Sequence, residues 1–98
     1  MVLYEVTVDV VPQQTEAFER YMRQTHIPDI FATGCFRYIR FARTSATRFR
    51  TSYEAERQEE LDRYLREHAT RLRADFQAHF PEGATASREV WTEVQRWP

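Results

Sequence analysis

Ninety-eight residues, 14% aromatic and 30% charged, supply enough apolar material for one compact domain and too much for a disordered segment. A net charge of −1 offers no overall attraction to nucleic acid or to an acidic membrane surface. All 14 basic residues are arginine, which removes Schiff-base and phosphate-loop lysine chemistry, and the single cysteine, Cys35, excludes an intrachain disulfide. Glu5 and Asp9 interrupt the only apolar N-terminal run, so neither a signal peptide nor a membrane span is expected. A reducing cytoplasm is the expected setting.

Residues 2–10 alternate, with Val2, Tyr4, Val6, Val8 and Val10 on one face and Leu3, Glu5, Thr7 and Asp9 on the other: a half-buried strand. Pro12 fits the first turn of a helix, where its missing N–H costs nothing. Phe18, Tyr21, Met22 and Thr25 then recur at helical spacing. Pro28 is expected to end this helix near residues 25–27, because the residue before proline avoids the α region. Ile30 and Phe31 suggest one extra turn, stopped in the left-handed region by Gly34. Strands follow at 35–43 and 46–56, around a turn near Thr44-Ser45. Residues 57–69 form a second helix with Leu61, Tyr64, Leu65, His68 and Leu72 as its apolar stripe and Glu59–Arg63 as an i,i+4 pair. A further helical stretch carries Leu72, Phe76 and Phe80 to Pro81 and Gly83. A last strand occupies 84–97, with Ala86, Val90, Thr92 and Val94 opposite Glu89, Trp91, Glu93 and Trp97.

The order βαββαβ reads as one ferredoxin-like α+β sandwich over 1–98, an antiparallel sheet with its helices on one face. That topology puts the end of the first helix beside the start of strand one and the end of strand three. His26 is therefore expected near Tyr4, Phe36 and Tyr53, and His68 at the opposite edge near Asp9, Phe49 and Arg88.

Tyr4-Glu5-Val6-Thr7-Val8, His26-Ile27-Pro28-Asp29, Thr33-Gly34-Cys35-Phe36, Tyr53-Glu54-Ala55 and Tyr64 to Arg73 together resemble a family of short bacterial proteins known only as a domain of unknown function. The likeness covers nearly the whole chain, and its most specific parts are the His-Ile-Pro-acid and His-Ala-x-x-Leu-Arg segments. More loosely, the architecture is similar to the dimeric α+β barrels, which include small monooxygenases, haem-degrading oxygenases and small-ligand sensing domains. Such a resemblance implies a fold and a dimer but no reaction.

His26 is the foremost candidate for chemistry, as a general base or ligand contact oriented by the Tyr4 and Tyr53 hydroxyls. The competing role is a helix-terminal histidine that bonds the last carbonyls and complements the helix dipole. Asp29 joins His26 at the same corner. His68, on an apolar stripe, reads as a core histidine first and as a ligand contact with Arg88 second; His79 reads as a surface residue at a helix end. Cys35 with His26 is a conceivable nucleophile pair, against the commoner role of cysteine as a small core residue. His26 and Asp29 straddle Pro28 without a third ligand at matching spacing, so no metal is expected, and no cofactor either.

The sheet face away from the helices is expected to carry Tyr38, Arg40, Arg48, Arg50 and Trp91 with Glu5, Glu89 and Glu93. An RNA-binding sheet lacks its glycine-aromatic pattern here, whereas mixed charge with aromatics suits a self-complementary interface. Leu3, Phe36, Tyr38 and Trp91 would otherwise stay exposed. The expectation is a cytoplasmic homodimer that binds or senses a small molecule, with no nucleic acid and no membrane as partner. The alternative is a cofactor-free enzyme, monooxygenase-like or isomerase-like, with His26 as base.

Overall fold

The computed structural model describes residues 1–98. Strand β1 (Val2–Val10) leads through a 3₁₀ turn at Pro12–Gln14 into helix α1 (Thr15–Tyr21). A π-helical turn (Met22–His26) then passes directly into α2 (Ile27–Phe31). Strands β2 (Tyr38–Ser45) and β3 (Arg48–Ala55) follow, then helices α3 (Gln58–Glu67) and α4 (Ala69–His79) and strand β4 (Ala84–Thr92). The sheet order is β2-β3-β1-β4, antiparallel throughout, which is the ferredoxin-like α+β arrangement.

Alternation along β1 decides which face is buried. Val2, Tyr4, Val8 and Val10 point under the helices and are buried, and register carries this parity to Phe49, Thr51, Tyr53 and Ala55 on β3. On β4 the same parity selects Ala84, Ala86, Arg88 and Val90, opposite Val10, Val8, Val6 and Tyr4. The helices do not cover this edge strand: Val90 is 51% exposed on the inner face. Gly34, at φ +75°, closes α2 in the left-handed region, where a glycine meets no steric penalty.

The helix layer buries two aromatic clusters. One gathers Tyr4, Ile30, Cys35, Phe36, Tyr53, Leu61, Tyr64 and Leu72; the other gathers Val8, Phe18, Tyr21, Met22, Phe49 and Phe80. Val6 packs against both and marks the seam between them.

Several sequence expectations need correction. Pro28 does not end the first helix. It stands in the first turn of α2, and the backbone is right-handed helical on both sides of it. Proline removes an N–H and clashes with the carbonyl four residues back. The chain answers by widening the turn, so that the Ile27 N–H reaches the Met22 carbonyl, five residues earlier. The second helix breaks at His68 (φ −127°, ψ −32°), where α3 gives way to α4. Leu61, Tyr64, Ala69 and Leu72 all stay in the Tyr4 cluster, and only Phe76 and Phe80 reach the Phe18 cluster. His68 therefore remains at the Tyr4 end, with its ring 6.4 Å from Tyr64, rather than near Asp9 and Phe49. Phe36 is buried in the core, not on the open sheet face. Glu59 pairs with Arg57 (3.7 Å) instead of Arg63. Strand β4 ends at Thr92; beyond it Glu93 bonds the Met1 carbonyl through its N–H (3.0 Å).

On the outer sheet face the charges are largely met within the chain. Arg40 reaches the buried Glu54 carboxylate at 3.0 Å, and Arg96 from the C-terminal segment approaches it at 3.9 Å. Glu5 accepts from the Ser52 hydroxyl at 2.7 Å and lies 3.6 Å from Arg50. Across one row of this face run Tyr38, Glu54, Leu3 and Trp91, with Tyr38 and Trp91 about half exposed.

Candidate functional site

A cavity of about 390 Å³ opens along the seam between the two clusters, under α4 and against the inner face of β4. Its floor is Tyr4, Val6 and Val8 of β1, with Ala84, Ala86 and Arg88 of β4. Its walls come from Met22, His26 and Ile30 on the first helical segment and from Arg73, Phe76 and Gln77 on α4. Tyr53 and Tyr64 close the end. The volume falls within the range of ligand pockets, about 300–1,000 Å³, and the lining is mostly apolar with a few convergent polar groups.

The widened turn positions His26. A π-turn inserts an extra residue into the helical repeat, which re-aims the side chains that follow it. The His26 ring lies between Tyr21 (5.6 Å between centroids) and Phe76 (5.5 Å). Its Nδ1 is buried without a hydrogen-bond partner, so no helix carbonyl is capped through that atom. Burial lowers its pKa to about 4, a desolvation effect that outweighs the attraction of Asp75 and Asp29. The imidazole is therefore neutral at physiological pH.

Tyr53 and Tyr64 are held protonated. Burial, reinforced by neighbouring Tyr4, pushes Tyr64 up to about 12, and burial likewise raises Tyr53. Tyr4 accepts a hydrogen bond from Arg73 Nη2 at 2.8 Å, which leaves its own proton free to donate. Behind the cavity, the Tyr4 ring packs against Phe36 (6.5 Å), Tyr53 (5.8 Å) and Tyr64 (6.2 Å).

Of the residues singled out from sequence, His26, Tyr4, Tyr53 and Arg88 line this one cavity. Arg88 is thus separated from His68, which does not line the cavity. Asp29 is exposed in the first turn of α2 and contributes its charge to His26 from outside the lining. His68 lies outside as well, where its Nδ1 accepts from Arg71 at 3.4 Å. Cys35 is buried in the Tyr4 cluster with its Sγ 3.9 Å from the Thr33 carbonyl, and it does not line the cavity. His79 is exposed at the end of α4, as expected; its ring lies 4.3 Å from Tyr21 and its Nδ1 donates to the Asp75 carbonyl at 2.9 Å. The Tyr21 hydroxyl donates to the Asp75 carboxylate at 2.7 Å, which ties α1 to α4 beside His26.

Arg73, Tyr64, Phe76, Met22 and Ile30 were not read as site residues. Met22 and Ile30 carry ordinary core periodicity, and Arg73 closes the His-Ala-x-x-Leu-Arg segment without its spacing pointing to a cavity. Arg88 does carry a signal, since it shares the strand parity of Ala86 and Val90. No cluster of three or more His, Cys, Asp or Glu side chains is placed to hold a metal ion. No helix is long and apolar enough to cross a membrane.

Among curated protein sequences none matches this chain. Solved structures are similar in fold. A dimeric ferredoxin-like protein from an uncultured marine organism superposes with a TM-score of 0.77 at 13% identity, covering 98% of this chain and 97% of that one. An ethyl tert-butyl ether d (ethd) family protein from Bacillus halodurans gives 0.72 at 16% identity, over 96% of this chain and 100% of its own. SnoaB, a cofactor-independent oxygenase from Streptomyces nogalater, gives 0.66 at 19% identity, over 99% and 96%. At such identities the likeness is one of fold alone. The family model described as a domain of unknown function (DUF4286) matches residues 1–94, and the chain belongs to that family.

Proposed function

We propose that this protein is a small-molecule binding module, a cytoplasmic homodimer whose ligand occupies the cavity between α4 and β4. The observation that carries the reading is the cavity itself: an apolar chamber of about 390 Å³ into which His26, Tyr4, Arg73 and Arg88 converge from four different elements. Its lining is apolar with a few convergent polar side chains, the composition of a ligand pocket. A free, buried Cys35 suits a reducing compartment. The half-exposed Tyr38 and Trp91, in one row with Leu3 on the outer face, support a dimer through that face.

An enzyme working through His26 is the second reading, favoured by the unpartnered Nδ1 and by the cofactor-independent oxygenase that shares the fold. Base strength weighs against it. General bases work best with a pKa near the operating pH, and desolvation lowers His26 to about 4. A neutral imidazole of that strength is suited to hydrogen bonding more than to proton abstraction.

Thermal-shift screening of a small-molecule library tests the binding reading. Ligands are expected to raise the melting temperature of the wild-type protein but not of Ala86→Trp, whose indole fills the chamber from the exposed edge strand. Hits that stabilise both proteins equally would place binding elsewhere. Sedimentation at micromolar concentration should give twice the chain mass, and a clean monomer would remove the dimer.

A further inference from the structure

Most arginines of this chain sit beside a carboxylate, as Arg40 does with Glu54, Arg43 with Glu19 and Arg48 with Asp9. Arg73 and Arg88 have no carboxylate partner within ion-pair distance, yet they border one cavity from two elements, α4 and β4. No Asp or Glu lines that cavity. Asp75, engaged with Tyr21, and Asp29, exposed on α2, stay outside it. Two guanidinium groups therefore converge on an apolar chamber with nothing inside to neutralise them.

We infer that the ligand is an aromatic carboxylate, its acid group held by Arg88 and Arg73 and its ring laid among Tyr4, Tyr53, Tyr64 and Phe76. This rests on the cavity being a binding site. A guanidinium presents paired N–H donors that match a carboxylate, and such charge-assisted bonds are stronger than neutral ones. Arg73 already spends one donor on Tyr4, which fixes the guanidinium and turns the Tyr4 O–H into a further donor toward the acid. Tyr4, Tyr53, Tyr64 and Phe76 all border the cavity, and aromatic side chains favour a flat ring through edge and face contacts.

Calorimetric titration with matched pairs tests the assignment: benzoate against benzyl alcohol, and 1-naphthoate against 1-naphthylmethanol. The carboxylate of a pair is expected to bind at least about 10-fold more tightly than its alcohol, the scale of a charge-assisted hydrogen bond. In Arg88→Gln that preference should shrink several-fold, the remainder resting on Arg73, and in Arg73→Gln/Arg88→Gln it should approach unity. Arg88 is exposed on an edge strand, so the single variant should melt as the wild type does. Equal affinity for acid and alcohol would overturn the carboxylate assignment and leave the cavity reading standing. Failure of both members of both pairs would overturn it too, and only a blank library screen as well would bring down the binding reading.

Discussion

The two aromatic clusters of the helix layer bury rings at similar spacing and do different work. Around Phe18, the rings of Phe49, Phe80, Phe76 and Phe41 lie 5.0, 5.8, 6.1 and 6.3 Å away. Phe18 itself is wholly buried among hydrocarbon rings, and the one hydroxyl of that cluster, on Tyr21, is bonded to Asp75. Around Tyr4 the rings are mainly tyrosines, each bringing a hydroxyl into the interior, and the chain stops short of filling the space beside them. A core that only had to be stable would favour phenylalanine at both places, because a buried hydroxyl costs free energy unless it is bonded. The contrast separates a cluster of hydrocarbon rings from one whose hydroxyls border an open cavity.

The largest effect that sharpens this contrast is on stability. Phe18→Ala should cost about 3–5 kcal/mol in denaturant unfolding, the usual toll of removing a buried phenyl ring. Its folded fraction should still bind ligand with wild-type affinity. A loss of affinity in that fraction would mean that the two clusters are not separable.

Next comes the pH dependence of His26, whose surroundings are the Tyr21 and Phe76 rings, the Asp75 and Asp29 carboxylates, Arg88 and His79. Its folded pKa, about 4, lies below the ordinary 6.5, so the unfolded chain takes up the proton first as pH falls. The resulting stability loss begins near pH 6.5 and grows until about pH 4, amounting to about 2 kcal/mol at pH 5. Urea unfolding of wild type and His26→Gln at pH 7 and pH 5 isolates it, since the surface carboxylates contribute to both proteins alike. Parallel pH dependence in the two would show that His26 is not desolvated.

The smallest effect on stability belongs to Tyr4→Phe. It removes an acceptor from the exposed Arg73 and should cost about 1 kcal/mol or less. Binding of a carboxylate ligand should nonetheless weaken several-fold by titration, because both the Tyr4 proton and the fixed position of Arg73 are lost. Unchanged affinity would reduce Tyr4 to a packing residue.

The fold was legible because its signals are periodic. Alternation in β1 and the Phe18-Tyr21-Met22 spacing of α1 each leave one apolar face, and only a layered sandwich buries all such faces together. Pro28 misled because a local rule was applied without the alternative that a helix has: one wide turn disposes of the missing N–H and the helix continues. His68 misled because the apolar stripe runs unbroken through residues 61–72, while the chain breaks its direction at His68. Of the site, His26, Tyr4 and Tyr53 followed from topology, and Arg88 was readable from strand parity once β4 was aligned with β1. Arg73 was not readable, for its contact with Tyr4 spans 69 positions of sequence and depends on where α4 crosses the sheet.

The central claim, that the seam beside Tyr4 rather than the Phe18 cluster or the outer sheet face receives the ligand, is most directly tested by amide chemical-shift mapping during titration with 1-naphthoate. The account predicts shifts concentrated at Tyr4, Val6, His26, Arg73, Gln77, Ala86 and Arg88, with Phe49 and the outer-face residues Arg40 and Glu89 unmoved. Shifts centred on Arg40, Arg50 and Glu89 while the seam stays silent would contradict it.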